Sequence, residues 1–178
     1  MRQRVLHRLW RQRALNALRR RRGVASLLVV CRGNLCRSPF AAALLRHQLS
    51  PPRPPVRVDS VGLTVPGRPS PAAAVAVAAR HGVDLSAHRS QFVTAERVRA
   101  ADLIVVMDFA QRREICARFG RAERDVLVLG DLDPQPFGAR VIRDPVNQPP
   151  AVFEQAYARI ERCVRELARA ITTVGDDA

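Results

Sequence analysis

One short stretch constrains this chain more than any other. An unbroken apolar run, Ser26 to Val30, is followed directly by Cys31 and a loop rich in arginine, glycine and asparagine. Such a run is typical of a strand buried on both faces of a parallel sheet. After the loop, Ser38 and Pro39 stand where an N-cap and a first helical residue are expected, and residues 40–49 continue as a helix. A buried strand that leads through a tight loop into a helix indicates an α/β fold.

The rest of the chain continues the alternation of strands and helices. The Pro-rich segment 51–55 ends the first helix of this alternation. Further strands are predicted at residues 56–61, 103–107 and 126–129, and further helices at 71–80, 95–100, 109–119 and 153–171. This order predicts a parallel sheet with helices on both faces. Such sheets bind ligands at the carboxyl ends of their strands, so the loop after the first strand is the expected site.

Charge is distributed unevenly along the chain. All 30 basic residues are arginines, and 14 of them lie in residues 1–58, which contain no acid. From Asp59 onward, 16 arginines offset 16 acidic residues. A basic extension, residues 1–23, therefore precedes a nearly neutral globular domain, residues 24–178. Aromatic residues make up only 4% of the chain and no nucleic-acid module follows the basic run, so no specific nucleic-acid partner is expected.

Two structures are compatible with the basic extension. It could be a frayed, solvated terminus, or a short amphipathic helix on which Val5, Leu6, Leu9 and Trp10 share one face. As a helix it would suit peripheral contact with an anionic membrane or an acidic partner.

The cysteines and the hydropathy pattern favour a cytoplasmic protein without a metal or cofactor. The four cysteines, at 31, 36, 116 and 163, form no CxxC pair and have no histidine at zinc spacing. Free thiols are therefore expected instead of a disulfide framework. No apolar run reaches the roughly eighteen residues of a membrane span, and no signal-peptide pattern is present. The sequence indicates no oligomeric state.

The loop from Cys31 to Pro39 has the residue types of a phosphate-binding cradle. Gly33 and Asn34 tolerate the positive φ that lets successive backbone N–H groups converge on one anion, which the following helix dipole also attracts. Arg37 can hold two phosphate oxygens in a bidentate grip. These electropositive surroundings favour the thiolate form of Cys31, which is the nucleophilic form.

The segment CRGNLCRSP, residues 31–39, resembles the signature of the low-molecular-weight protein tyrosine phosphatases. Weaker similarity is carried by DSVG (59–62), HGVDLSAHRS (81–90), VVMD (105–108) and the Asp-Pro pair at 144–145. The resemblance implies a small doubly wound four-stranded parallel sheet with its phosphate-binding loop after the first strand. It also implies cysteine-dependent hydrolysis of phosphomonoesters, with protein phosphotyrosine as the favoured substrate, through a phosphocysteine intermediate and without a cofactor.

The same resemblance assigns roles to individual residues. Cys31 would attack the phosphorus, Arg37 would stabilise the equatorial oxygens, and Ser38 would hydrogen-bond the thiolate. Asn34 would hold the loop with support from Ser60 and His88, although these last two could be ordinary loop residues. The remaining members of the phosphate-binding loop are Arg32, Gly33, Leu35 and Cys36. All of these residues follow residue 23, so the basic extension is expected to be dispensable for catalysis.

A general acid must protonate the leaving group, and the long loop before the last helix offers two Asp-Pro pairs. The resemblance favours Asp144, because the terminal helix begins shortly afterwards, and leaves Asp133 as the alternative. In the family the second loop cysteine, here Cys36, can form a reversible disulfide with the first, although a packed and inert Cys36 is also compatible with the sequence.

Substrate preference stays open between two phosphorylated side chains. Tyrosine-specific members usually carry aromatic residues where this chain has Val146 and the run 63–66, which weakens the case for phosphotyrosine. Relatives that prefer phosphoarginine carry threonine where this chain has Leu35. The apolar side chain of Leu35 favours contact with the aromatic ring of phosphotyrosine. The alternatives are a protein-arginine phosphatase of the same fold and a phosphate-binding module with a vestigial site. Arsenate reduction is disfavoured, because no relay cysteine lies between Cys36 and Cys116.

Overall fold

The computed structural model describes residues 2–21, 23–50, 56–136 and 139–172. Its sheet has four parallel strands in the spatial order β2-β1-β3-β4. The strands are β1 (Ser26–Cys31), β2 (Arg57–Gly62), β3 (Leu103–Val106) and β4 (Val126–Val128). Each predicted strand is present with ends shifted by no more than one residue, and the predicted doubly wound α/β fold is confirmed. The Pro-rich connection predicted at 51–55 lies outside the described residues.

Six α-helices and two 3₁₀ helices occur in the described residues. The α-helices are α1 (Arg2–Arg19), α2 (Arg37–Gln48), α3 (Ala72–Arg80), α4 (Ala95–Ala100), α5 (Phe109–Phe119) and α6 (Pro150–Thr172). The first 3₁₀ helix is Glu123–Asp125 and the second is Leu129–Leu132.

The apolar run at β1 is buried on both faces, as its composition predicts. Side chains alternate across a strand, so Leu27 and Val29 join one core and Leu28 and Val30 join the other. Helices α1, α2, α3 and α6 cover the first face, and α4 and α5 cover the second. Strand β1 lies inside the sheet, between β2 and β3. Its carboxyl end, at Cys31, therefore lies at the point where the order of the strands reverses.

The start of α2 differs from the sequence-based prediction. Ser38 was expected to cap the helix, but α2 begins at Arg37, and Cys36 holds the N-cap position without a side-chain cap bond. Ser38 lies inside the first turn because its hydroxyl is used elsewhere, 3.1 Å from the sulfur of Cys31. The helix therefore starts early enough to place Arg37 in its first turn.

The basic extension is helical over residues 2–19 and packs on the domain. Leu15 and Leu18 are buried in the core that α2 and α6 share, and Arg11 pairs with Glu166 of α6. The apolar side chains of Val5, Leu6 and Leu9, by contrast, are exposed. Helix α1 thus docks through the face that carries Leu15 and Leu18, not through the one that carries Val5, Leu6 and Leu9.

Candidate active site

Cys31 is the last residue of β1, and its side chain is buried at the base of the loop. The backbone N–H of Asn34 donates a hydrogen bond to Cys31 Sγ at 3.2 Å, and Ser38 Oγ lies 3.1 Å from the same sulfur. The N-terminus of α2 follows six residues later. Hydrogen-bond donors and a helix N-terminus both stabilise negative charge on sulfur, so this position suits a reactive thiolate.

The side chain and backbone of Asn34 close the loop. Asn34 has a φ of 52° and is fully buried. Its Nδ2 donates to Ser38 Oγ at 2.8 Å and to Ser60 Oγ at 3.0 Å, and its Oδ1 accepts from the backbone N–H of Gln91 at 2.8 Å. Its carbonyl accepts from His88 Nε2 at 2.7 Å. Ser60 and His88 therefore both contact the residue that the resemblance assigned them to support.

Gly62 makes this closure sterically feasible. It pairs with Cys31 across β1 and β2, and a Cβ at its position would lie 2.8 Å from the carbonyl carbon of Gly33 and 2.9 Å from the nitrogen of Asn34. Any side chain would push the loop off the sheet. The sequence indicates no role for Gln91, and for Gly62 its only signal is the DSVG motif, whose last residue is Gly62.

Arg37 lies beneath the loop with its guanidinium buried. Nη1 donates to the carbonyl of Ile142 at 2.9 Å, and Nη2 forms an ion pair with a carboxylate oxygen of Asp144. Nε is buried and has no hydrogen-bond partner among the residues that the structure describes. A buried donor of this kind is costly unless an acceptor reaches it, which a phosphate oxygen in the loop would do.

Asp144 lies on the solvent side of the same pocket. Its carboxylate is 41% exposed, and Oδ1 also accepts from the backbone N–H of Val146 at 3.2 Å. The pocket has a volume of about 250 Å³, and its lining includes Arg32, Arg37, Glu114, Ile142 and Asp144. The structure thus brings Asp144 to the arginine of the loop, where a general acid can reach a leaving group.

Asp133, the alternative acid, occupies a different environment. Its side chain is fully buried, and Arg159 and Arg162 of α6 bind both of its oxygens at 3.0 to 3.2 Å. Arginines occupy both carboxylate oxygens, and the side chain has no exposed route to a leaving group. Asp133 therefore organises the packing of α6.

The two cysteines of the loop differ in ionisation. Burial, followed by the negative charge of Cys31, raises the pKa of Cys36 to about 12. Cys36 therefore remains a thiol at neutral pH, and a thiol is a poor nucleophile. Tyr157 donates from its hydroxyl to the carbonyl of Cys36 at 3.3 Å. Both cysteines are free, so the disulfide implied by the resemblance stays a prediction.

The residues expected to contact the substrate side chain are aliphatic, and only some of them are exposed to solvent. Leu35 and Leu63 are buried, Leu35 in the core cluster of α2 and α6 and Leu63 in the cluster on the opposite face of the sheet. Val146 is half-buried against the first of these clusters, while Val65 is 65% exposed. Contact with a substrate ring is therefore left to Val146, Val65 and the edge of Leu35.

The described residues contain no group of three or more histidine, cysteine, aspartate or glutamate side chains placed to hold a metal ion. Within the same residues, no helix is both long and apolar enough to cross a membrane.

Comparison with protein families and curated relatives gives one consistent result. The family model described as low molecular weight phosphotyrosine protein phosphatase matches residues 26–176. A Ralstonia solanacearum protein, described as probable low molecular weight protein-tyrosine-phosphatase EpsP, is 42% identical over 153 residues, which are 85% of this chain and 99% of that protein.

Solved structures give the same result. The tyrosine phosphatase AmsI of Erwinia amylovora aligns with a TM-score of 0.74 at 32% identity, covering 83% of this chain and 93% of its own. The YwlE arginine phosphatase from Geobacillus stearothermophilus aligns with a TM-score of 0.73 at 29% identity, covering 84% of this chain and 94% of its own. Helix α1 precedes the residues that the family model matches.

The buried charge cluster predicts a large effect on stability. Asp133→Ala should lower the free energy of unfolding by about 3–5 kcal/mol, because it removes the carboxylate that neutralises Arg159 and Arg162. Urea unfolding of both proteins measures the difference. The matched control is Asp59→Ala on β2, whose side chain is exposed and whose loss should change stability by no more than about 0.5 kcal/mol. Equal stability of the two variants would contradict a structural role for Asp133.

Proposed function

The chain belongs to the low molecular weight phosphotyrosine protein phosphatase family, and from that premise we propose how its own residues perform the reaction. The enzyme is a cysteine-dependent phosphatase. We propose that it removes phosphate from phosphotyrosine in proteins, with Cys31 as nucleophile, Arg37 as the phosphate-binding cation and Asp144 as general acid. The observation that supports this assignment best is the buried Nε of Arg37, which has no hydrogen-bond partner among the described residues. Arg37 directly follows a loop that holds a sulfur in contact with two hydrogen-bonding groups.

In the first step the phosphoryl group leaves the substrate for the enzyme. The loop N–H groups and the Arg37 guanidinium bind the phosphate oxygens at the N-terminus of α2. The Cys31 thiolate attacks phosphorus as the phosphorus–oxygen bond of the ester breaks, and protonated Asp144 donates its proton to the departing phenolate oxygen. The products are a phosphocysteine, a neutral phenol and an Asp144 carboxylate.

In the second step water regenerates the enzyme. The Asp144 carboxylate accepts a proton from the water molecule that attacks phosphorus, and the sulfur–phosphorus bond breaks. The thiolate that leaves is the form that Ser38 and the Asn34 N–H stabilise at 3.1 and 3.2 Å. Asp144 therefore acts as acid first and base second, and the loop donors assist both nucleophile and leaving group.

Tyrosine is the side chain that the pocket favours. Leu35, at the position where relatives that prefer phosphoarginine carry threonine, presents an apolar edge that matches a phenyl ring better than a guanidinium. EpsP and AmsI are both described as tyrosine phosphatases, whereas YwlE is described as an arginine phosphatase. Turnover of matched phosphotyrosine, phosphoarginine and phosphoserine peptides decides the preference, and turnover of a chromogenic aryl phosphate separates an enzyme from a vestigial phosphate-binding module.

We place this enzyme in the cytoplasm. All four cysteines are free, and a phosphatase that depends on a thiolate requires a compartment that keeps thiols reduced.

The outward face of α1 suits an anionic membrane surface. Val5, Leu6 and Leu9 are 44–54% exposed, and Arg4 and Arg8 are exposed beside them. An apolar face flanked by arginines binds at the lipid headgroup boundary, and each arginine near an anionic surface contributes about 1 kcal/mol. We propose that α1 holds the enzyme peripherally at such membranes.

Vesicle sedimentation tests the membrane assignment. The enzyme should bind phosphatidylserine vesicles, release in high salt and ignore neutral phosphatidylcholine vesicles. The double variant Leu6→Glu/Leu9→Glu should lose binding, whereas Val65→Glu, at an exposed valine outside α1, should keep it. Salt-independent binding, or equal binding by both variants, contradicts the proposal, as does selective binding to an acidic protein without vesicle binding.

Kinetics of three variants test the mechanism. Cys31→Ser should abolish turnover, because a serine hydroxyl is not ionised at neutral pH. Arg37→Lys should lower kcat/KM by about 10²-fold or more, because a point charge cannot reproduce a bidentate grip. Asp144→Ala should lose about 10²–10⁴-fold on phenyl phosphate and little on a dinitrophenyl ester, whose acidic leaving group needs no proton.

The control for Asp144→Ala is Glu114→Ala, which removes a negative charge from the same pocket without removing the proposed proton donor. It should turn over both esters at close to the wild-type rates. If Glu114→Ala loses activity selectively on phenyl phosphate and Asp144→Ala does not, the acid is wrongly assigned.

A further inference from the structure

The segment that carries Asp144 is held in place four residues before it, by the contacts of the Arg140 side chain. Two nitrogens of the Arg140 guanidinium donate to the two carboxylate oxygens of Asp131, each at 2.6 Å. The same guanidinium lies over two aromatic rings, 4.7 Å from the ring centre of Trp10 and 4.3 Å from that of Phe109. Phe109 belongs to α5, whereas Trp10 belongs to α1. A planar cation held by a fork and two rings has little freedom to move.

The backbone at Arg140 is equally fixed. A Cβ on Gly130 would lie 2.0 Å from the carbonyl oxygen of Arg140, so the segment rests directly on the second 3₁₀ helix. Two residues further on, Ile142 donates its N–H to the carbonyl of Met107 at 3.0 Å and accepts from Arg37 Nη1 at 2.9 Å. The position of Arg140 is thereby linked to the phosphate-binding arginine, and Asp144 follows after two more residues.

Helix α1 also holds the other end of this loop. His7 is buried, and its Nε2 donates to the carbonyl of Asp133 at 2.8 Å. Arg11 donates from Nε to the carbonyl of Leu132 at 3.4 Å. One helix therefore contacts the loop both where it leaves the second 3₁₀ helix and, through Trp10, where it returns towards Asp144. The family model begins at residue 26, so the shared fold does not supply these contacts.

We infer that Trp10 is a positioning residue for catalysis: by stacking on Arg140, it holds Asp144 where it can protonate the leaving group. The inference rests on the proposed role of Asp144 and extends it to a helix outside the family's common fold. It predicts, against the expectation from the sequence, that residues 1–23 contribute to catalysis. Val5, Leu6 and Leu9 of α1 are exposed.

The expected effect is selective for poor leaving groups. A general acid contributes about 10²–10⁴-fold, and a displacement of roughly 1 Å can cost most of a catalytic group's benefit. Trp10→Ala should lower kcat/KM on phenyl phosphate about tenfold and leave dinitrophenyl phosphate nearly unchanged. The ratio kcat/KM is the correct quantity, because it covers only the steps through cleavage of the ester bond.

The experiment uses the full chain with three variants of α1. Trp10→Phe keeps an aromatic ring over Arg140 and should restore most of the activity on phenyl phosphate. Leu9→Ala truncates an exposed neighbour on the same helix and should match wild type on both esters. If Trp10→Ala does not fold by thermal unfolding, Arg140→Lys replaces it. Arg140→Lys keeps the charge, loses the planar stack, and should show the same selective loss.

A double-mutant cycle decides whether the effect passes through Asp144. In an Asp144→Ala background, Trp10→Ala should cost nothing further on phenyl phosphate, because the acid that it positions is already gone. Additive losses in the cycle, equal losses on both esters, or no loss on either would overturn the inference. Failure of the proposed function has a different signature: wild type would not turn over either ester, or Cys31→Ser would remain active.

Discussion

The buried side-chain amide of Asn34 is the interaction on which the active site depends. The side-chain oxygen accepts from Gln91, and the side-chain nitrogen donates to Ser38 and Ser60. The backbone carbonyl of Asn34 accepts from His88. Replacing it would leave several buried donors and acceptors unpaired, each at a cost of about 1–3 kcal/mol. These bonds hold a residue at positive φ, and that bend turns its N–H towards the sulfur of Cys31. The reactivity of one thiol thus depends on the complete hydrogen bonding of one amide.

Much of this arrangement could be predicted because its parts are contiguous in sequence. The strand, the loop and the helix that form the phosphate site are neighbours along the chain. The unbroken apolar sequence of β1 by itself predicts a strand buried on both faces. The choice of Asp144 over Asp133 also followed from order along the chain. The reason that Asp133 is unsuitable could not be found in that way, because its partners Arg159 and Arg162 lie on α6, and arginine is too common in this chain to indicate particular pairs.

The docking of α1 lay beyond what the sequence could indicate. The sequence places Val5, Leu6, Leu9 and Trp10 together on one apolar face. The first three are exposed and Trp10 lies over Arg140, whereas the helix docks through Leu15, Leu18 and His7. A polar side chain looks like a surface residue until its partner is known, and here the partners are backbone carbonyls and an arginine in distant loops. The expectation that Ser38 is an N-cap was wrong for a related reason, although its expected contact with the Cys31 sulfur is present. A serine before a proline is a good N-cap by local rules, but a nearby sulfur uses its hydroxyl.

The docking of α1 also has a consequence for how the enzyme is made. Its contacts join residues that are far apart in synthesis: His7 and Asp133 are separated by 126 positions, and Arg11 and Glu166 by 155. Helix α1 leaves the ribosome first, but its docking surface emerges almost last. The nascent chain can therefore pair strands and close the phosphate loop well before α1 has anything to bind. If Trp10 positions Asp144 as we propose, proton donation becomes efficient only when nearly the whole chain has been made.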